Sequence, residues 1–375
     1  MPVDRPDALP AARRPHRLAG GRPGLLAPGA TTDPYRLRLY RLLRTDYPLG
    51  YDPDLGAWLL SRYVDVALAL TDPRFTGYPH DGAPRGRAPV PLGLCRGSLV
   101  CGPPAVPWRT VEPAVERTAY VLARRIAGRE RADLVADFCR WLPAGAAAPA
   151  AGLSYPDLTT PPRAARRRLT GGGADDCAGP TALREHALAS FLANMLDDPD
   201  LLAAARAVAA AGEAAGKTAG EGTAGEAGGG SAGEGTAGET GGEGSGTTLL
   251  GRAWAETLRR DPPVQIVLRR TRTEVTVSGG TLPADAPVAC LIGAAGRDPA
   301  RFAAPDRFDP LRADADPLLI GPAGCPAALL GRLEAEYGLH ALLTAMPGIR
   351  WAEGFRPVAG GLLTRGPRAL LVRPS

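Results

Sequence analysis

The chain has 375 residues, 45% of them hydrophobic, which is enough to bury a core in one large domain or two ordinary ones. Its formal net charge of +5 comes from arginines scattered along the chain, with Lys217 the only lysine, so the clustered charge of a nucleic-acid binder is lacking. No run of about 18 apolar residues occurs, which leaves no candidate transmembrane helix.

Residues 1–28 are rich in Pro, Gly and Arg and lack the apolar core of a secretory signal; they read as a disordered lead-in to a cytoplasmic protein. Tyr35 to Arg44 has a helical pattern. Two short strands follow, at Leu49–Tyr51 and Ala57–Ser61, joined by the turn Asp52-Pro53-Asp54-Leu55-Gly56. Tyr63 to Leu70 is helical again and stops at Asp72-Pro73. The stretch from Pro143 to Gly179 shows little apolar periodicity and reads as loop. A helix from Thr181 to Leu196 repeats Leu183, Ala187, Phe191 and Met195 every four residues. A second helix, Asp200 to Ala210, runs into a tract of Gly, Ala, Glu, Thr and Ser. That tract, 211–248, cannot bury enough apolar surface to offset its ordering entropy, and it reads as a flexible tether. Inside it, Gly212 to Thr218 mimics a phosphate-binding loop, but it is one residue short and no strand leads into it. From 249 to 375 the composition is globular again.

The six cysteines, Cys95, Cys101, Cys139, Cys177, Cys290 and Cys325, are dispersed and include no CxxC pair. This argues against a zinc site and, for reduced thiols, against a disulfide framework.

The C-terminal motifs occur in a telling order. Glu256 and Arg259 sit three apart on a helix, followed by a strand from Pro263 to Arg269. Then come Gly279 to Val288, Gly296-Arg297-Asp298-Pro299, Phe302 to Asp309, and Cys325 seven residues before Arg332. Together these resemble the K helix, sheet, meander and L helix of a bacterial cytochrome P450. Asp33-Pro34-Tyr35, Tyr51 to Trp58, Arg62 to Asp65, Asp72 to Phe75 and Arg131 to Phe138 resemble the same family's N-terminal half. The resemblance implies a mainly α fold with small β-sheets, P450-like and truncated in the middle helices. Residues 29–210 would form its N-terminal and central part and 249–375 its C-terminal part. It also implies a buried structural cluster of Glu256, Arg259 and Arg307, since a buried guanidinium needs carboxylate and carbonyl partners.

The family's chemical residues are altered. Cys325 stands at the haem-ligand position, but its loop, Ile320-Gly321-Pro322-Ala323-Gly324-Cys325, is shorter than the family's and lacks its aromatic and its cation. Cys325 is either a haem-iron ligand or a small apolar residue in a contracted loop. Arg269 matches the family's propionate-binding arginine, whereas Val106 replaces the histidine on the preceding helix. The oxygen-activating Ala-Gly-x-(Asp/Glu)-Thr-Thr stretch falls on Gly179-Pro180-Thr181-Ala182-Leu183-Arg184, with no acid–alcohol pair. Nearby His186 reads as a core or surface residue.

Within the family, the Pro-Ala-Gly loop and the Gly-Arg-Asp-Pro motif resemble P450-like auxiliary proteins of actinobacterial antibiotic clusters. Such proteins bind and activate a deoxysugar glycosyltransferase in macrolide- or anthracycline-type biosynthesis. The resemblance therefore implies a non-catalytic protein with a glycosyltransferase partner, no cofactor, and no nucleic-acid or membrane partner. The alternatives are a haem-thiolate monooxygenase using haem b, Cys325, Arg269 and a ferredoxin, and a decaying gene product without function.

Overall fold

The computed structural model describes residues 24–26, 31–77, 108–150, 180–221, 248–313, 317–318 and 326–374. In chain order the helices are α1 (Asp33–Thr45), α2 (Tyr63–Thr71), α3 (Trp108–Ala127), α4 (Leu142–Ala150), α5 (Pro180–Asp197), α6 (Pro199–Glu221), α7 (Leu249–Arg260), α8 (Ile292–Ala295) and α9 (Pro326–Ala345). The strands are β1 (Leu49–Asp52), β2 (Ala57–Leu60), β3 (Phe75–Gly77), β4 (Ala132–Asp133), β5 (Ile266–Thr271), β6 (Val275–Val277), β7 (Gly280–Leu282), β8 (Pro287–Leu291), β9 (Arg350–Trp351), β10 (Ala359–Gly360), β11 (Gly366–Pro367) and β12 (Leu371–Arg373). A π-helical turn, Val135–Cys139, follows β4.

The main sheet has the order β1-β2-β8-β5-β3. Its β1–β2 hairpin is set by Asp52, whose carboxylate accepts from the backbone N–H groups of Asp54 and Leu55 and so closes the turn. The hairpin joins β8 in parallel, Leu60 opposite Cys290, and β5 runs antiparallel between β8 and β3. A smaller sheet, β4-β12-β9, ties the C-terminus to the end of α3.

The helices pack around α5. Its predicted stripe, Leu183, Ala187, Phe191 and Met195, is buried, and so are Leu188, Ala189, Leu192 and Leu196 on its other sides. A helix apolar around most of its circumference belongs in the interior. The helical core adds Val115, Leu122 and Ile126 of α3, Phe138 of the π turn, Trp254 of α7 and Leu339 of α9, with Phe191 meeting Trp254 edge-on at 5.9 Å. Four polar residues of α5 are also buried: Arg184, Glu185, Ser190 and Asn194. Glu185 accepts from Arg140, and Asn194 bridges Thr257 and Arg260.

Two stretches depart from the sequence reading. Pro143 begins no loop: it is the second residue of α4, and Ala144 and Ala146 are buried. The helix works because its residues are small. A Cβ on Gly145 would lie 2.7 Å from the Thr118 methyl, so α3 and α4 approach more closely than larger side chains permit. Likewise α6 does not stop at Ala210 but continues to Glu221, through the phosphate-loop mimic and into the segment assigned to the tether. Its alanines are strong helix formers and overcome the interspersed glycines. Residues 222–247 and 151–179 lie outside the described residues.

Candidate functional site

A fully partnered, buried polar centre lies at the C-terminal end of α7. Thr248 caps that helix by accepting from Gly251 N–H, which fixes where its turns begin. Glu256 and Arg259 then share one face, both inaccessible to solvent, in a bidentate pair with both contacts at 2.7 Å. Arginine carries five N–H donors, and here each has an acceptor. Besides the Glu256 oxygens, these are the backbone carbonyls of Gly296, Pro305 and Arg307. The guanidinium also lies over the Phe302 ring, 5.1 Å from its centre. Glu256 accepts a further bond from Asp309 N–H, so the meander is pinned at four points to one helix turn.

The third arginine of this cluster is Arg312, and this corrects the assignment of Arg307. The Arg307 side chain is exposed and the residue contributes only its carbonyl. Arg312 reaches back from the end of the meander to within 3.4 Å of Glu256 and donates to the carbonyls of Ala303 and Ala304. Arg307 lies inside the tight turn that Arg259 clasps, so its side chain is directed outward. Arg312 lies just past the turn, where a long side chain can return to the carboxylate.

The Gly-Arg-Asp-Pro motif closes the same region. Arg297 caps α7, donating to the Arg260 carbonyl and pairing with Asp261 and Asp306. Beside it, desolvation raises the half-buried Asp261 carboxyl, but the guanidiniums of Arg260 and Arg297 outweigh it and hold the group down to about 2. Asp298 accepts from Tyr63 N–H and so caps α2. Gly296 sits where a Cβ would collide with the Arg259 backbone carbonyl. Gly296→Ala is therefore expected to lower stability by about 3 kcal/mol, read as a fall in thermal midpoint.

At the start of α5 the structure bears directly on oxygen chemistry. Pro180 is the helix's first residue, where its missing N–H costs nothing. Leu183, at the alcohol position of the family stretch, is 5% exposed and packs in the sheet-side core with Val264, Val267 and Leu318. Arg184, next to it, turns the other way. It donates to Glu334 of α9 at 2.6 Å and to the Pro143 carbonyl, in a pair with almost no solvent access. Burial pushes the Glu334 carboxyl up to about 7 against the opposing pull of Arg184.

Arg269 lies on β5 between Gly77 and Val288, half-buried. It neighbours Cys290, whose thiol burial pushes up to about 12 while Arg269 pulls it back. Cys325, Val106 and the loop 319–325 lie outside the described residues. Among the described residues no group of His, Cys, Asp and Glu is placed to hold a metal ion, and no helix is long and apolar enough to cross a membrane. Arg269 would suit a propionate, but the positions that the resemblance assigns to oxygen activation hold a packed leucine and a committed ion pair. The described residues therefore do not fit that group's chemistry, and no reaction step is assigned to them.

A polar cleft of about 190 Å³ opens between α1, α5 and the 357–367 segment. Most of its charges are already engaged: Arg36 and Arg365 share Asp33, Arg260 pairs with Asp261, and Asp197 accepts from the Trp351 indole N–H. It reads as a tie between the N-terminal helix and the C-terminal hairpin.

Residues 248–316 match the family description Cytochrome P450. Protein DesVIII of Streptomyces venezuelae is 43% identical over 130 residues, 34% of this chain and 32% of that protein. Protein AknT of Streptomyces galilaeus is 39% identical over 121 residues, 31% of this chain and 25% of that protein. The matches to these relatives thus span about a third of their length or less. CYP109E1 of Bacillus megaterium superposes with a TM-score of 0.62 at 17% identity, over 90% of this chain and 97% of that one, a likeness of fold. Over residues 248–316 the chain is thus similar to cytochrome P450, and its fold is P450-like. In this P450-like fold the Glu256–Arg259 pair and the segment it clasps are formed, while the start of α5 places Leu183 in the core and ties Arg184 to Glu334. Sequence reasoning did not find Arg312 or the Arg184–Glu334 pair. Only the surplus of arginine at family alcohol and meander positions hinted at them.

Proposed function

We propose that this chain is a non-catalytic, P450-like auxiliary protein without a cofactor. In this reading it acts in the cytoplasm, binding and activating a deoxysugar glycosyltransferase of macrolide- or anthracycline-type antibiotic biosynthesis. The observation that carries the reading is the start of α5, where Leu183 is core and Arg184 is tied to Glu334, so that no acid–alcohol pair serves oxygen. The intact Glu256–Arg259 centre supports a chain kept for its fold. Such a protein raises its partner's activity only through tighter binding to the partner's active conformation than to its inactive one.

The test is to purify the full chain and record its absorption spectrum, then add it to a deoxysugar glycosyltransferase of macrolide- or anthracycline-type biosynthesis. A colourless protein that raises transferase turnover is expected. A Soret band moving to about 450 nm with carbon monoxide after reduction, as thiolate-ligated haem gives, would overturn the reading in favour of a haem-b monooxygenase using Cys325, Arg269 and a ferredoxin.

A further inference from the structure

We infer that the solvent face of α3 is the surface on which a protein partner docks, and that the partner meets it with an acidic patch; this rests on the auxiliary reading above. The helix buries Val111, Val115, Ala119, Leu122 and Ile126, leaving a stripe at helical spacing: Arg117, Tyr120, Val121, Arg124 and Arg125. Tyr120 and Val121 are 44% and 41% exposed, two adjacent members of the small set of large apolar side chains the described residues show to solvent. The Arg124 guanidinium lies over the Tyr120 ring, 5.7 Å from its centre, and donates to its hydroxyl, so the two form one cation–aromatic unit. Tyrosine and arginine are the residues that dominate binding at protein interfaces.

The charge pattern selects the partner. No acid lies within the stripe. Glu112, one turn before it, is drawn toward α9 by the Tyr337 hydroxyl, and Glu116 lies on the flank. Among the described residues, no carboxylate pairs with Arg117, Arg124 or Arg125. A second copy of this chain, docked by a two-fold axis, would set these arginines against one another. An acidic protein surface relieves that repulsion and steers the encounter. A nucleic acid would need a longer track of charge than one helix face with an apolar centre provides.

The experiment measures the dissociation constant between the full chain and the deoxysugar glycosyltransferase whose turnover it raises in the test above, at low and high salt. Reversing Arg117, Arg124 and Arg125 to Glu is expected to weaken binding at least about tenfold at low salt, mainly through the association rate, with an unchanged thermal midpoint. A milder Arg→Gln triple variant should show a smaller loss in the same direction. Reversing Arg350 and Arg356 elsewhere on the surface is the control and should change little. Equal binding by wild type and both triple variants overturns this surface while leaving the auxiliary reading intact. Failure of the unaltered chain to bind the transferase overturns both. Binding of a short DNA duplex as tight as that of the transferase overturns the choice of partner.

Discussion

Arg259→Ala is expected to destabilise the fold by about 3–5 kcal/mol, enough to leave much of the chain unfolded at ordinary temperature. The variant leaves the Glu256 carboxylate with no solvent access and with only the Asp309 N–H and the more distant Arg312 as partners. It also orphans three backbone carbonyls that fix the meander, those of Gly296, Pro305 and Arg307. The companion variants sort the arginines by role. Arg312→Ala should cost about 1–3 kcal/mol, because two carbonyls and a carboxylate contact lose their donor. Arg307→Ala should fall within about 0.5 kcal/mol of wild type, since its carbonyl remains and its side chain is exposed. Chemical denaturation of the three variants measures all of these. Equal losses for Arg307 and Arg312 would contradict the geometry.

The Arg184–Glu334 pair should make stability depend on pH in an unusual direction. The Glu334 carboxyl titrates at about 7 in the fold and at an ordinary 4.5 in the unfolded chain. Between those values the folded protein keeps a proton that the unfolded chain has released. Stability is therefore greatest below the lower value and falls as pH rises through 7, by up to about 3 kcal/mol. Glu334→Gln should flatten that slope. Arg184→Ala should cost more at pH 8, where the buried carboxyl must either ionise without its partner or hold a proton that the unfolded chain has released, than at pH 5, where it is neutral in both proteins. Glu334→Ala strands a guanidinium held only by the Pro143 carbonyl, so its cost should persist across the range. Replacing both residues with leucine should restore stability to within about 2 kcal/mol of wild type. Unfolding curves at the two pH values decide the matter, and a slope of the opposite sign would refute the burial argument.

Much of this was legible in the sequence where periodicity or punctuation is strong. Helices α1, α2 and α5 begin and end within a few residues of their predicted bounds, since Pro34, Asp72-Pro73 and Pro180 mark them. Helix α4 was missed because its core-facing residues are alanine and glycine, which leave no apolar stripe to count. The extension of α6 was missed for a related reason: alanine's helix preference is hidden inside a tract that looks compositionally disordered. Glu256 and Arg259 could be read because their partners lie on the same helix turn. Arg184 could not be matched to Glu334, which sits 150 residues away. Arg312 could not be told from Arg307, because which one points inward depends on the path of the meander and not on spacing.

The interleaving of the main sheet has a consequence for how the chain is made. Two strands from residues 266–291 lie between the N-terminal hairpin and β3 at 75–77, and Arg44 of α1 donates to Ala294, 250 residues later. The N-terminal hairpin cannot find its parallel neighbour until most of the polypeptide has left the ribosome. Until then β2 carries an open hydrogen-bonding edge, which is the feature that invites wrong pairings between nascent chains. Closing so distant a contact is slow, yet its entropic cost grows only with the logarithm of the intervening length, about 0.6 kcal/mol per doubling. Lengthening the repetitive segment between α6 and α7 should thus barely alter the final stability. Chaperone demand and soluble yield should instead track how long the unfinished sheet waits for its second half.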